Sequence, residues 1–171
     1  MIRYTPEKIA ALRPNEIFVF GSNLAGHHGG GAASIAHERF GAVWGIGTGL
    51  QGNSYAIPTM QGGIDTIKPY VDEFICFARL HSELTFYVTR IGCGIAGFSD
   101  SEIAPLFDKA YDVKNIILPE SFYKIINHAR QLNSETNGLK FHAIPIKFFE
   151  DRKSTRLNSS HLKLSRMPSS A

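Results

Sequence analysis

Leu84-Thr85-Phe86-Tyr87-Val88-Thr89 runs straight into Arg90-Ile91-Gly92-Cys93-Gly94-Ile95-Ala96-Gly97-Phe98-Ser99-Asp100, and this junction decides the fold. The first six residues are β-branched, aromatic or apolar, the make-up of a buried strand. Past the glycines, Ser99 or Asp100 can cap a helix beginning at Glu102, with Ile103, Leu106 and Phe107 as its apolar face. A strand that passes through glycines into a helix N-terminus forms an anion site. Glycine lets the backbone approach a ligand closely, and unpaired N–H groups with the helix dipole turn positive charge toward it. The other reading of the same residues is a glycine-rich turn with no ligand.

Working outward, the pattern recurs near the start of the chain. Ile17-Phe18-Val19-Phe20 is a continuous apolar run, hence a buried strand, and it leads into Gly21-Ser22-Asn23-Leu24-Ala25-Gly26-His27-His28-Gly29-Gly30-Gly31. Residues 32–40 then read as a helix with Ile35, Ala36 and Phe40 facing inward. Residues 41–52 hold five glycines and Trp44 and predict loop with short extended pieces. Gly47-Thr48-Gly49-Leu50-Gln51-Gly52 satisfies the dinucleotide-binding spacing. A strand over 54–58 follows it instead of a helix, so the match is set aside.

The rest of the chain alternates in the same way. A helix over 66–81 carries a stripe of Ile67, Tyr70, Val71, Phe74, Ile75 and Phe77, with Cys76 expected in the core. Residues 113–118 predict a strand stopped by Pro119, and 121–132 a helix. Residues 5–13 predict a short amphipathic turn or helix ended by Pro14, and 140–149 an apolar segment of open type. Alternating strands and helices imply a three-layer α/β sandwich. Ligands in such folds bind beyond the carboxyl ends of the strands, where both glycine loops would lie.

At 171 residues the chain can form one domain with a real core. No run approaches the roughly 20 apolar residues of a membrane span, and no signal pattern opens the chain. Two cysteines are too few for a disulfide framework or a zinc cluster. The cytoplasm is therefore the expected location, with no membrane partner. The formal charge of +3 resides at the end of the chain: Arg152, Lys153, Arg156, Lys163 and Arg166 stand there against Asp151 alone. Of 18 Lys and Arg this leaves 13, against 14 Asp and Glu, in residues 1–150. Residues 151–161 read as a translation of a common sequencing-adapter oligonucleotide, and 165–171 as that of its far end. The expected organisation is thus a domain over 1–149 followed by a non-native, disordered tail over 150–171.

Asn23, followed by Gly29-Gly30-Gly31 and a small-residue helix, resembles the first phosphate/ribose loop of macro domains, the ADP-ribose-binding superfamily. Arg90-Ile91-Gly92-Cys93-Gly94-Ile95 resembles their second loop, most closely that of the terminal ADP-ribose protein glycohydrolase branch. Residues 17–118 as a whole are more similar still to small macro-like proteins of bacteriophages. The resemblance implies a three-layer α/β/α macro-domain-like sandwich with a mixed central sheet. It also implies binding of ADP-ribose or a related ADP-ribosyl nucleotide, free or carried on a macromolecule. Gly92, Cys93, Gly94, Ile95, Ala96, Gly97 and Phe98 would wrap the diphosphate. Asn23 with the turn of Gly29, Gly30 and Gly31 would hold the distal ribose, and Gly21, Ser22, His28 and Arg90 would also contact the ligand. Three positions depart from the family. Ala33 stands where many macro hydrolases carry an aspartate, Met60 where the glycohydrolase branch has a lysine, and Ala96 where that branch has an aspartate. The known hydrolytic machinery therefore does not carry over.

The titratable residues that remain are few. His28, adjacent to the glycine run, is expected to face the ligand as acid, base or nucleophile, with Asn23 as its catalytic partner and His27 beside it. Cys93 either has its pKa lowered by the helix N-terminus or is a small side chain packed under the loop. Arg90 can pair with a phosphate or with a neighbouring carboxylate. No metal set and no cofactor is expected, and nucleic acid only as an ADP-ribosylated substrate. Three functions stay open. They are hydrolysis of an ADP-ribosyl bond or of ADP-ribose 1″-phosphate, non-catalytic binding of an ADP-ribose-like nucleotide, and Rossmann-like binding of NAD through Gly92-x-Gly94-x-x-Gly97.

Overall fold

The continuous apolar run at 17–20 becomes β1 (Glu16–Ser22), the central strand of a five-stranded sheet. β1 buries side chains on both faces, which is why its pattern does not alternate. The computed structural model describes residues 1–142, with side chains through 138. After β1 come α1 (Gly31–Arg39), β2 (Gly49–Gln51), β3 (Ser54–Pro58), α2 (Ile64–Leu80) and β4 (Thr85–Val88). A four-residue α3 (Asp100–Ile103) continues as a 3-10 segment, Ala104–Ala110, before β5 (Ile116–Ile117) and α4 (Glu120–His142). Strand order is β2-β3-β1-β4-β5. β1 pairs parallel with β3 and β4, β4 pairs parallel with β5, and only β2 runs antiparallel. The fold is α/β with a mixed sheet.

Side-chain alternation sorts the two faces. Ile17, Val19, Tyr55, Ile57, Phe86 and Val88 point to one side, where Ile67, Val71, Phe74 and Ile75 of α2, Phe107, and Phe122 and Ile126 of α4 cover them. Phe18, Phe20 and Ala56 point to the other, against Ala33, Ala36 and Phe40. Full burial of each large side chain contributes about 1.5–3 kcal/mol, so residues such as Phe20, Phe74 and Phe86 anchor the layers.

Several local expectations change. Residues 5–13 are not helical. The N–H of Thr5 donates to Leu118 O at 2.9 Å and its hydroxyl to Ile117 O at 2.8 Å, which ties the start of the segment to the end of β5, while Ile9 and Leu12 pack on the α1 side. Ile35 is exposed, because Ala33, Ala36 and Phe40 already fill the inner face of α1. Cys76 is exposed too: the α2 stripe runs through Val71, Phe74, Ile75 and Ala78 and leaves it outside. The chain divides into two units, Met1–Ala129 and Arg130 onward. Everything about the site below lies in the first; in the second the described residues, 130–142, are helical. The expected domain end at 149 and the tail over 150–171 lie outside the described residues.

Candidate functional site

From β1 the chain passes through α1 and β2 to β3 on one side, then through α2 to β4 on the other side of β1. Connections diverging from a central parallel strand leave a crevice at its carboxyl end. There the loops after β1 and β4 line one cleft of about 380 Å³. They approach closely. A Cβ on Gly21 would lie 3.3 Å from Gly92 N and from Thr59 Oγ1, and one on Gly30 would lie 3.2 Å from Ile95 Cδ1. Ile95 is thus an apolar bridge from the second loop to the first.

The second loop divides into two sets of residues. Gly92, Gly94, Ile95 and Ala96 line the cleft, as does Arg90. Cys93, Gly97 and Phe98 do not, contrary to the expected wrap. The N–H of Gly97 donates to Gly94 O at 3.0 Å and that of Phe98 to Gly92 O at 2.9 Å, closing the turn, while Cys93 and Phe98 pack on the core. The N–H groups of Gly94, Ile95 and Ala96 have no acceptor among the described residues. Those three amides, not a helix dipole, are what this loop offers an anion. α3 has only four residues, and the carboxylate of Glu102 already accepts the N–H of its cap, Ser99, at 2.8 Å.

On the facing wall, Gly21, Ser22, Asn23, Gly29, Gly30 and Gly31 line the cleft together with Ala32 and Ala33. α1 starts there from Gly30 with no side-chain cap and no acidic residue in its first turn. Its leading amides and partial positive charge therefore face the cleft. Asn23 is less free than expected: its Nδ2 donates to His27 O at 2.8 Å and its Oδ1 accepts the His27 N–H at 2.9 Å. It shapes the loop and keeps one N–H for a ligand. The hydroxyls of Ser22, Thr59 and Thr89 donate to the carbonyls of Gly47, Ser22 and Val19.

His28 is not among the cleft residues, and this corrects the expected catalytic assignment. Its ring is 1 % exposed and packs edge-on to Phe20. Its Nε2 lies 2.9 Å from Val43 O and 3.1 Å from Ile46 O. Two carbonyl acceptors place the proton on Nε2, so the ring pins the 43–47 segment beneath the first loop. Gln51 reinforces it, accepting the Val43 N–H at 2.7 Å and donating to Ile46 O at 3.1 Å. His27 lines the cleft instead, stacked on the half-exposed Trp44 at 5.4 Å and 22°. Sequence signals do not separate two adjacent histidines in an irregular loop, and nothing in the pattern singles out Trp44.

Arg90 pairs with Asp100, through Nη2 at 2.8 Å and Nε at 3.0 Å. Burial works to raise the Asp100 carboxyl, but hydrogen bonds from Arg90 and Cys93 outweigh it and hold the group below its ordinary range. Burial, then the hydrogen bond to Asp100, pushes the Cys93 thiol up to about 12. Cys93 is therefore a packed thiol, not an activated nucleophile. In an alkylation time course at pH 8, Cys93 should react roughly a hundredfold more slowly than an ordinary thiol, with exposed Cys76 as the internal standard. Comparable rates at the two sites would contradict this assignment. Beyond Arg90 lies a larger hollow of about 840 Å³ that shares Thr89 and Arg90 with the cleft. Its other basic group, Lys124, is bridged to Glu120 at 2.8 Å, and Glu7 adds a further carboxylate to its lining, so both cations are already committed there.

Comparison with protein-family models, with curated proteins and with solved structures gave no match. The site's chemistry thus rests on its own residues. Among the described residues, no carboxylate and no lysine lines the cleft. Ala33, Met60 and Ala96, the three positions where the family resemblance implies hydrolytic side chains, all line it. Among the described residues no group of three or more His, Cys, Asp or Glu could hold a metal, and no helix is long and apolar enough to cross a membrane.

Proposed function

We propose that this chain is a macro-domain-like protein that binds ADP-ribose, or a related ADP-ribosyl nucleotide, free or on a macromolecule. The observation that carries the reading is the meeting of two glycine loops, from adjacent parallel strands, on one cleft. Unpaired amides stand on one wall and an uncapped helix start on the other. Backbone amides converging from two sides suit the two phosphates of a pyrophosphate. Binding without hydrolysis is the better supported form, because Ala33, Met60 and Ala96 supply no acid or base and each lining hydroxyl is bonded to a carbonyl. The Rossmann alternative needs a helix dipole after Gly92-x-Gly94-x-x-Gly97, and a four-residue α3 provides little of one.

Calorimetric titration of the full chain with ADP-ribose, NAD and AMP tests this. ADP-ribose should bind tightest, and ADP-ribose 1″-phosphate should survive prolonged incubation. Preference for NAD, or no heat with any of the three, overturns the reading.

A further inference from the structure

We propose that His27, stacked on Trp44, is a proton-gated clamp that closes on the anionic part of the ligand. This rests on the cleft being a ligand site, as proposed above. Among the described residues lining the cleft, only His27 and Arg90 carry ionisable side chains. Arg90 keeps its charge throughout the accessible pH range and is committed to Asp100. His27 is thus the cleft residue whose type changes charge between pH 5 and 8.

Its placement suits the role. The amide of Asn23 brackets the His27 backbone, accepting its N–H at 2.9 Å and donating to its carbonyl at 2.8 Å. The ring lies nearly parallel to the indole of Trp44, where a protonated imidazole gains a cation–π contact. Around this pair stand His28 of the same loop, its Nε2 on two carbonyls, and His37 of α1, its Nδ1 2.7 Å from Ala42 O. Arg90 belongs to the loop after β4, which lines the same cleft. With no carboxylate among the described residues lining the cleft, a bound anion is the negative charge an imidazolium at position 27 can pair with. Linkage fixes the sign: a ligand preferring the protonated ring binds more tightly at low pH and moves protonation to higher pH.

Trp44 is the chain's one tryptophan, and a protonated imidazole in contact quenches indole emission, so the full chain reports on itself. The diphosphate of ADP-ribose keeps its charge between pH 5 and 8, and so does sulfate. Emission titrated over that range should show a quenching midpoint that saturating ADP-ribose raises by about one pH unit, a tenfold preference for the protonated form. H27Q should abolish the ligand-dependent part, leaving any contribution of His28 and His37. By calorimetry, W44L should shrink the pH 6 to pH 8 affinity ratio and W44F restore it; an unchanged ratio in W44L removes Trp44 from the clamp.

ADP-ribose binding without a shift of the midpoint, or a shift that survives in H27Q, overturns the clamp while the nucleotide reading stands. A midpoint raised by sulfate, together with no detectable binding of ADP-ribose, supports the clamp and overturns the nucleotide reading. A midpoint that neither anion moves overturns the clamp.

Discussion

Gly26→Ala lowers the thermal midpoint by about 10 °C and weakens ligand binding with it. Gly26 sits at φ +68°, where an L side chain costs roughly 1–2 kcal/mol. Its Cβ would fall 2.2 Å from Ile46 N and 2.4 Å from Gly45 C, both backbone atoms that no rotamer change relieves. Overpacking against a well-fixed neighbour adds about 1–3 kcal/mol, so roughly 3 kcal/mol is expected in total, or about 10 °C for a domain of this size. The neighbour is well fixed because Gly45 donates to Gly26 O at 2.9 Å, and His28, Gln51 and Ser22 all bond carbonyls of the same segment. Gly29→Ala is the control. Gly29 has an ordinary φ and nothing within 4 Å of its Cβ, so the substitution should leave the melting curve in place. A melting curve for Gly26→Ala that overlays that of Gly29→Ala would show the two loop segments not to be clamped together.

That clamp marks the limit of what the sequence made legible. Strands β1, β3 and β4 are written as dense apolar runs, α2 as a stripe of 3.6 period, and both loops as glycine clusters after strands, because periodicity and composition act locally. The cleft itself was expected from the rule for carboxyl ends of parallel strands, and the two loops do share it. Side-chain direction inside an irregular loop has no period to read. Hence His28 is buried where it was expected to face the ligand, His27 alone of the pair lines the cleft, and Cys93 and Phe98 pack on the core. Thr5 is tied to Ile117 of β5, a partner 112 residues away. Local pattern does not report such pairing, so the segment over 5–13 reads as a turn or helix, and it forms no helix.

Gly30→Val should close the cleft while leaving the domain folded. Gly30 is extended, at φ −157° and ψ 162°, a conformation a β-branched residue adopts readily. Its Cβ would point at Ile95 Cδ1 from 3.2 Å, and Ile95 is 72 % exposed, so its side chain can move aside. The helix start loses about 1 kcal/mol, since Val is a poor cap, and the melting temperature should fall only slightly. Binding bears the larger effect, because the branched side chain occupies the gap between the two rows of amides. To enter, a pyrophosphate must push both side chains apart, at about 1–3 kcal/mol, or roughly 10- to 100-fold in affinity. Adding Ile95→Ala to Gly30→Val removes the facing side chain and should recover most of that loss, which a general destabilisation would not do. Full affinity for ADP-ribose in folded Gly30→Val would mean that the ligand binds elsewhere, and the larger hollow beyond Arg90 would become the place to look.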